Sequence, residues 1–171
     1  NATLHIATQI YDVGGHTRVL NQVIKRTNGP QILFLTEQTH AKLPQWFLSE
    51  HEQNIHILTY EDFEYQQESY LNKSLLLRMI AQKSKRVILH THFHDTIPVM
   101  AFATKDCPPI ILENHAHSWF WLGVTVTDVV FSLCKYHEEF TRQYRDVRNS
   151  YFLPTSQFDA DIPPQFNNEW K

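Results

Sequence analysis

The chain has 171 residues, a formal net charge of −3, 42% hydrophobic residues and 19% charged residues. This length and composition predict one soluble domain with a sizeable core, and the small net charge gives no reason to expect nucleic acid or an anionic membrane surface as a partner. No apolar run reaches the roughly 20 residues needed to cross a bilayer, and no segment has the pattern of a signal peptide. The two cysteines are too few for a disulfide framework, so we expect a cytoplasmic protein.

Seven short apolar runs predict β-strands. In chain order they cover residues 4–10, 31–36, 54–59, 86–91, 109–114, 128–132 and 150–153. Several of them are apolar almost throughout, without the alternation of a half-exposed strand. Such runs are typical of strands that are covered on both faces, as in parallel sheets.

Helical patterns lie between the predicted strands. They cover residues 16–24, residues 40–51 with Pro44 in the first turn, an apolar stripe of Leu71, Leu75, Leu76, Met79 and Ile80, residues 97–103, and residues 135–145. The alternation of strand and helix predicts an α/β fold, with a Rossmann-like parallel sheet and helices on both faces in three α/β/α layers. The last stretch, from residue 154 to residue 171, has three prolines and little periodicity, which is typical of a linker or a tail.

Two adjacent glycines, Gly14 and Gly15, stand between the first predicted strand and the first predicted helix. The chain has only four glycines, so a pair at this junction indicates a backbone that needs positive φ, or a close approach by a ligand. The free N–H groups at the start of a helix bind phosphate and other anions. The alternative is a tight turn without a ligand.

Polar clusters follow three of the predicted strands. The glycine pair follows the first strand, residues 90–95 follow the fourth, and residues 115–119 follow the fifth. Because ligands bind beyond the carboxyl ends of the strands in open parallel sheets, we expect these clusters to form one shared site. The alternative is that polar residues collect at an exposed sheet edge without sharing a function.

The second of these clusters also fits a metal-dependent hydrolase. Alternate residues of a strand share one face, so His90, His92 and His94 would converge there beside Asp95. Imidazoles with a carboxylate bind zinc or iron in many hydrolases. Glu113 is the only other carboxylate at a strand end near the clusters, which is few for a metal centre, so we keep the hydrolase as an alternative and expect no metal.

The third cluster combines histidine with aromatic residues. A neutral imidazole at His115 is suited to hydrogen-bond a sugar hydroxyl or to steady a developing positive charge. The aromatic faces of Trp119, Phe120 and Trp121 suit the apolar C–H faces of sugar rings. The alternatives are that the three aromatic residues belong to the core, or that they form the contact surface of a non-catalytic interaction module.

Taken in order, these segments resemble the N-terminal half of a group 1 glycosyl transferase with the GT-B architecture of two Rossmann-like domains. The resemblance runs from about residue 4 to residue 159. It rests on a Gly-Gly-x-x-x-Val loop at residues 14–19, a hydrophobic strand ending in His-x-His at residues 87–92, a proline-led strand ending in histidine at residues 109–115, and an Asp-x-Val step at residues 127–132. Residues 153–155 stand where the family has a Pro-Asn-Gly turn.

The resemblance implies a division of the chain. Residues 3–153 would form the Rossmann-like, acceptor-binding domain, residues 154–171 would form an interdomain linker or a tail, and the C-terminal domain that binds the nucleotide-sugar would be absent. The implied activity is glycosyl transfer with retention of configuration, in glycan or glycoconjugate synthesis. The implied partners are a sugar or glycoconjugate acceptor and a nucleotide-sugar donor, with no cofactor besides that donor, and this chain alone would be inactive.

The resemblance also implies roles for particular residues. By position, His115 becomes the catalytic residue. Together with the strand-end clusters, the resemblance assigns the binding of acceptor or donor phosphate to Gly14, Gly15, His16, Thr17, His94, Asp95 and His117. The chain departs from the family at Glu113 and Asn114, which replace small or hydroxyl residues before the histidine, and at Thr155, where Asn-Gly is common. A sugar-nucleotide epimerase of the same architecture is a further alternative.

Overall fold

The computed structural model describes residues 2–115 and residues 119–154. Its centre is a seven-stranded sheet in the order β3-β2-β1-β4-β5-β6-β7, with every neighbouring pair parallel. The strands are β1 Thr3–Ala7, β2 Gln31–Leu35, β3 His56–Thr59, β4 Arg86–His90, β5 Ile110–Asn114, β6 Val129–Ser132 and β7 Ser150–Phe152. The helices are α1 Gly15–Arg26, α2 Gln45–His51, α3 Tyr70–Ala81, α4 Thr96–Phe102 and α5 Lys135–Arg145. The predicted Rossmann-like α/β fold is confirmed.

Two separate apolar clusters lie against the sheet, because successive residues of a strand point to opposite faces. One cluster packs Ala7, Leu33 and Leu35 of the strands against Leu20 and Ile24 of α1 and Phe47 of α2. The other packs Leu4, Ile6, Phe34 and Leu89 of the strands against Leu77 of α3 and Ile97 of α4. The sheet is therefore the middle of three layers.

The predicted helix over residues 40–51 is divided at Pro44. A short 3-10 turn covers His40–Lys42, and α2 begins only at Gln45. Leu43 between them is extended, with ψ of 134°, because a proline disfavours the helical conformation in the residue that precedes it.

The apolar stripe predicted for α3 does not coincide with the buried face of that helix. The buried residues of α3 are Ser74, Leu77 and Ala81, whereas three residues of the stripe, namely Leu71, Leu75 and Met79, are exposed. The rotation of the helix is fixed by its neighbour α4, since Arg78 donates hydrogen bonds to the carbonyls of Ala101 at 2.6 Å and Met100 at 3.1 Å.

Within residues 2–115 and 119–154, no helix has both the length and the apolar character that crossing a membrane requires. Cys107 and Cys134 are both free thiols. The linker or tail predicted at residues 154–171 lies outside the described residues, apart from Pro154.

The strand order places a topological switch point between β1 and β4. The chain moves outward from β1 to β2 and β3 on one side, then crosses back to β4 and continues to β7 on the other side. In sheets of this kind the loops on the two sides separate at the switch point and leave a crevice beyond the carboxyl ends of the strands. The loops that follow β1, β4 and β5 border this crevice.

Candidate functional site

The crevice begins at the loop from β1 to α1, where the two glycines behave differently. Gly14 has φ of 145° and precedes α1, whereas Gly15 is the first residue of the helix. The first turn contains no acidic residue, and no side chain caps it. The N–H groups at the start of α1 are therefore unopposed by carboxylates of their own turn, and the expected positive φ is confirmed at Gly14 alone.

Substituting each glycine by alanine is expected to distinguish Gly14, which has a positive φ, from Gly15, which is the first residue of the helix. A Cβ at either position meets no described atom within 4 Å, so only backbone strain distinguishes them. Gly14→Ala is expected to lower the free energy of unfolding by about 1–3 kcal/mol, because its φ disfavours any L side chain. Gly15→Ala is expected to be neutral or to stabilise by up to about 1 kcal/mol, because alanine favours helix. Urea unfolding of both variants measures the difference, and equal losses would contradict the assignment.

The buried side chain of Thr17 stabilises this loop. Its side chain is fully buried, and its hydroxyl accepts a hydrogen bond from the backbone N–H of Tyr11 at 2.8 Å. The hydroxyl that the sequence assigned to ligand binding is thus engaged in holding the loop against the first turn of α1.

His16 and His115, called here the histidine pair, meet at the crevice. Their ring centroids are 4.3 Å apart. The Nε2–H of His16 donates to the carbonyl of His90 at 2.7 Å, which leaves the Nδ1 of His16 without a hydrogen. Burial is the main cause that lowers the pKa of each ring to about 4, and the neighbouring imidazoles lower it further. Both members of the pair are therefore neutral at physiological pH.

Further rings line the rim of the crevice beside the histidine pair. His92 lies 5.5 Å from His16 and 5.5 Å from His94 between ring centroids. His94 is exposed and contacts Phe93 at 5.2 Å, and Phe93 lies 6.1 Å from Trp119. These contacts form a row of polar and apolar rings that ends at an exposed indole.

The predicted aromatic run at residues 119–121 is divided between surface and core. Trp119 and Phe120 are 67% and 80% exposed, whereas Trp121 is only 6% exposed. The guanidinium of Arg145 lies 4.6 Å from the ring centre of Trp121. Only the first two aromatic residues are accessible to a ligand.

Asp95 joins the ends of three elements. Its Oδ2 accepts hydrogen bonds from Thr8 at 2.8 Å and Thr36 at 2.5 Å, and its Oδ1 accepts from the N–H of Ile97 at 3.1 Å as the N-cap of α4. The carboxylate is buried, so it fixes the rim of the crevice and presents no free oxygen to a ligand.

The structure does not bring the second cluster together as a metal centre. Strand β4 ends at His90, and His92 and His94 lie in the turn that follows, so the three rings do not share a strand face. His90 is fully buried and is bonded to His5 and Glu113. Across the described parts of the chain, no group of three or more His, Cys, Asp or Glu side chains is placed to hold a metal ion.

Sequence reasoning missed a buried polar chain that crosses the sheet next to the histidine pair. It connects Gln31 of β2, His5 of β1, His90 of β4 and Glu113 of β5. The signal was present, because His5 and Glu113 interrupt apolar strands. A polar residue within a strand buried on both faces needs a buried partner.

His117, predicted to bind substrate, lies outside the described residues. Comparison of the chain with protein-family models gave no match, and comparison with curated proteins gave none either. The arrangement at the crevice is therefore the basis on which a function is assigned.

Proposed function

We propose that residues 3–153 form the acceptor-binding domain of a nucleotide-sugar-dependent glycosyltransferase, with His115 at the reaction centre. One observation carries the proposal. The glycine-led start of α1 and the ring of His115, which are 100 positions apart in the sequence, meet at the same crevice through the contact of His115 with His16. A site of this kind needs an anion-binding backbone and a hydrogen-bonding side chain next to each other.

The start of α1 is suited to the leaving diphosphate of a sugar donor. Gly14 and Gly15 are exposed, and the first turn has no carboxylate that would repel an anion. Free N–H groups and the positive end of the helix dipole stabilise negative charge at such a position. In the proposed reaction that charge increases as the bond between sugar and phosphate breaks, so the stabilisation is greatest in the transition state.

The neutral ring of His115 is suited to a sugar hydroxyl. An uncharged imidazole has one donor and one acceptor nitrogen, which matches a hydroxyl group. The Nδ1 of His115 is buried and has no hydrogen-bond partner within the described ranges. A sugar hydroxyl would supply the hydrogen bond that this atom lacks.

The exposed rings of Phe93 and Trp119 are suited to the acceptor. Sugar rings have an apolar C–H face that packs on an aromatic face, with hydroxyls at the edge for polar groups. The imidazole of His94, which contacts Phe93 at 5.2 Å, supplies such a polar group. We therefore place the acceptor along this row of rings, with its reacting hydroxyl directed toward His115.

Titration of the isotope-labelled chain with ligands, followed by NMR, tests the proposal. Uridine or guanosine diphosphate is expected to shift the backbone amides of Gly15 and His16, and oligosaccharides are expected to shift the side-chain signals of His92, His115 and Trp119. The exposed His56, at the amino end of β3, is the internal control and should not respond.

The same titration separates the alternatives. A chain that responds to zinc or manganese at His92 and His94, and to no sugar, would favour the hydrolase. A response to a sugar nucleotide alone, with no acceptor effect, would favour the epimerase. If neither diphosphates nor saccharides perturb the crevice, the glycosyltransferase proposal is wrong, and the exposed Trp119 and Phe120 become the contact surface of an interaction module.

A further inference from the structure

The hydrogen bonds of the buried polar chain run in one direction from donor to acceptor, and the residues at its two ends determine that direction. Its links are 3.0 Å from His5 Nε2 to Gln31 Oε1, 3.1 Å from His5 Nδ1 to His90 Nε2, and a short hydrogen bond between His90 Nδ1 and Glu113 Oε2. All four side chains are buried, with the exposed fraction at 8% for Gln31 and 3% or less for the other three. Whether each ring nitrogen carries a hydrogen is therefore determined by its hydrogen-bond partner in the protein and not by solvent.

Gln31 sets the direction at the first end. Its Nε2 donates to the carbonyl of Thr27 at 3.0 Å. Because a carbonyl only accepts, the amide group has one orientation, and its Oε1 faces His5. An amide oxygen also only accepts, so the Nε2 of His5 carries a hydrogen. A neutral imidazole has one N–H, so the Nδ1 of His5 accepts and the Nε2 of His90 must donate.

The same reasoning continues to Glu113. With its hydrogen on Nε2, a neutral His90 presents a lone pair at Nδ1, and the carboxyl of Glu113 has to donate to it. The only other arrangement places a charged imidazolium beside a carboxylate. Burial opposes both charges, since it lowers the pKa of His5 and of His90 to about 3 and raises the pKa of Glu113 to about 7.

Glu113 is surrounded by imidazoles on several elements. It faces His90 across the strands, and the ring of His115, one residue beyond the end of β5, acts on it electrostatically. The other titratable or charged groups of this region are His5 on β1, His16 on α1 and His92 after β4. Arg86 and His51 act on His5, and Asp95 acts on His92. Of these groups, Asp95 is a buried carboxylate, and it acts on His92, which is not part of the buried polar chain.

We propose that Glu113 is a neutral carboxylic acid in the folded protein, and that it acts as a positioning residue for the histidine pair. It holds the ring of His90 in the Nε2–H tautomer and in place. The carbonyl of His90 then accepts the hydrogen bond that orients His16 against His115. The positioning role rests on the proposed function, whereas the protonated carboxyl does not. Glu113 is also one of the residues at which this chain departs from the family that it resembles.

Infrared and nitrogen NMR spectra of the full chain test the protonation. At about pH 6 the wild type is expected to show the C=O band of a protonated carboxyl, and Glu113→Gln is expected to abolish it. The band should disappear in the wild type as the pH rises through about 7. The rings of His5 and His90 are each expected to carry one hydrogen, on Nε2.

Two variants test the positioning. In Glu113→Gln the amide N–H still donates to His90, so the tautomers of the chain, the ring signals of His16 and the Tm are expected to stay close to those of the wild type. In Glu113→Ala the Nδ1 of His90 has no donor, so the Tm is expected to fall by several degrees and the ring signals of His16 to shift. If the alanine variant does not fold, the comparison of Glu113→Gln with the wild type decides alone.

Three results would overturn the inference: no protonated carboxyl band at about pH 6, a His90 ring with both nitrogens protonated, or a glutamine variant as damaged as the alanine variant. None of these measurements needs a sugar. If the spectra are as expected and no saccharide binds, the glycosyltransferase proposal fails by itself. If saccharides bind and Glu113 is ionised at about pH 6, only the present inference fails.

Discussion

Replacing His115 by alanine is expected to lower the rate of the proposed sugar transfer by about 100- to 1,000-fold, while the domain stays folded. The ring contacts His16 at 4.3 Å between centroids, and its Nδ1 makes no hydrogen bond with any described residue. The substitution removes the contact with His16, and it removes the proposed hydrogen bond to the reacting sugar entirely. The measurements are kcat with saturating donor and acceptor, and the unfolding midpoint by circular dichroism.

His56→Ala is the matched control for this experiment. His56 is exposed and begins β3, at the edge of the sheet opposite to the crevice, so its loss is expected to leave both turnover and stability unchanged. A His115→Ala enzyme that folds normally and keeps turnover near that of the wild type would show that His115 has no catalytic role.

Acidification from about pH 6 to about pH 5 is expected to lower the free energy of unfolding by about 4 kcal/mol. The reason is the number of imidazoles that the fold keeps neutral. Burial is the largest cause that lowers the pKa of His5 and His90 to about 3 and that of His16 and His115 to about 4. In the unfolded chain all four take up a proton below a pKa of about 6.5.

The sign of the effect follows from the direction of these shifts. A histidine whose pKa is lowered in the folded state does not reduce the free energy of unfolding above the pKa of the unfolded side chain. As the pH falls below that value, the unfolded chain binds the proton more readily, and the free energy of unfolding decreases. Glu113 acts oppositely, because its pKa is raised from 4.5 to about 7 in the folded state. Between about pH 4.5 and pH 6 the unfolded chain thus binds four protons more at the histidines and one proton less at Glu113. The difference of three protons gives the expected slope.

Urea unfolding at several pH values between 5 and 7 measures this slope. His16→Gln removes one of the four titrating rings and is expected to reduce the slope by about 1.4 kcal/mol per pH unit. A free energy of unfolding that stays constant from about pH 7 to about pH 5 would contradict the assignment of neutral buried imidazoles.

The strands were predictable from the sequence because strands that are buried on both faces are apolar almost throughout. The apolar runs at residues 86–91 and 109–114 became β4 and β5 within one or two residues. The first strand was predicted to extend to residue 10, but it ends at Ala7. The backbone N–H of Ile10 donates a hydrogen bond to the side-chain Oε1 of Gln38 at 2.6 Å. No local sequence pattern indicates this contact between separate segments.

The positions of the candidate site residues were partly predictable. That Gly14 and His115 follow the carboxyl ends of their strands was evident from the order of elements, because parallel strands all end at the same edge. The roles of Asp95 and Thr17 were not evident, since both were expected to face a ligand. Their partners, such as Thr36 for Asp95, come from other loops, and the sequence does not state which loops are adjacent.

The sequence by itself determined the class of fold, since alternating apolar strands and amphipathic helices have few ways to bury their surfaces other than a covered parallel sheet. It also indicated a positive φ at the glycine pair, and the structure shows that Gly14 and not Gly15 adopts it. Only the tertiary structure decided which polar side chains are free and which are engaged. His90, His5 and Glu113 come from three strands whose neighbour relations follow from the crossover after β3, and their protonation depends on the burial that this packing creates.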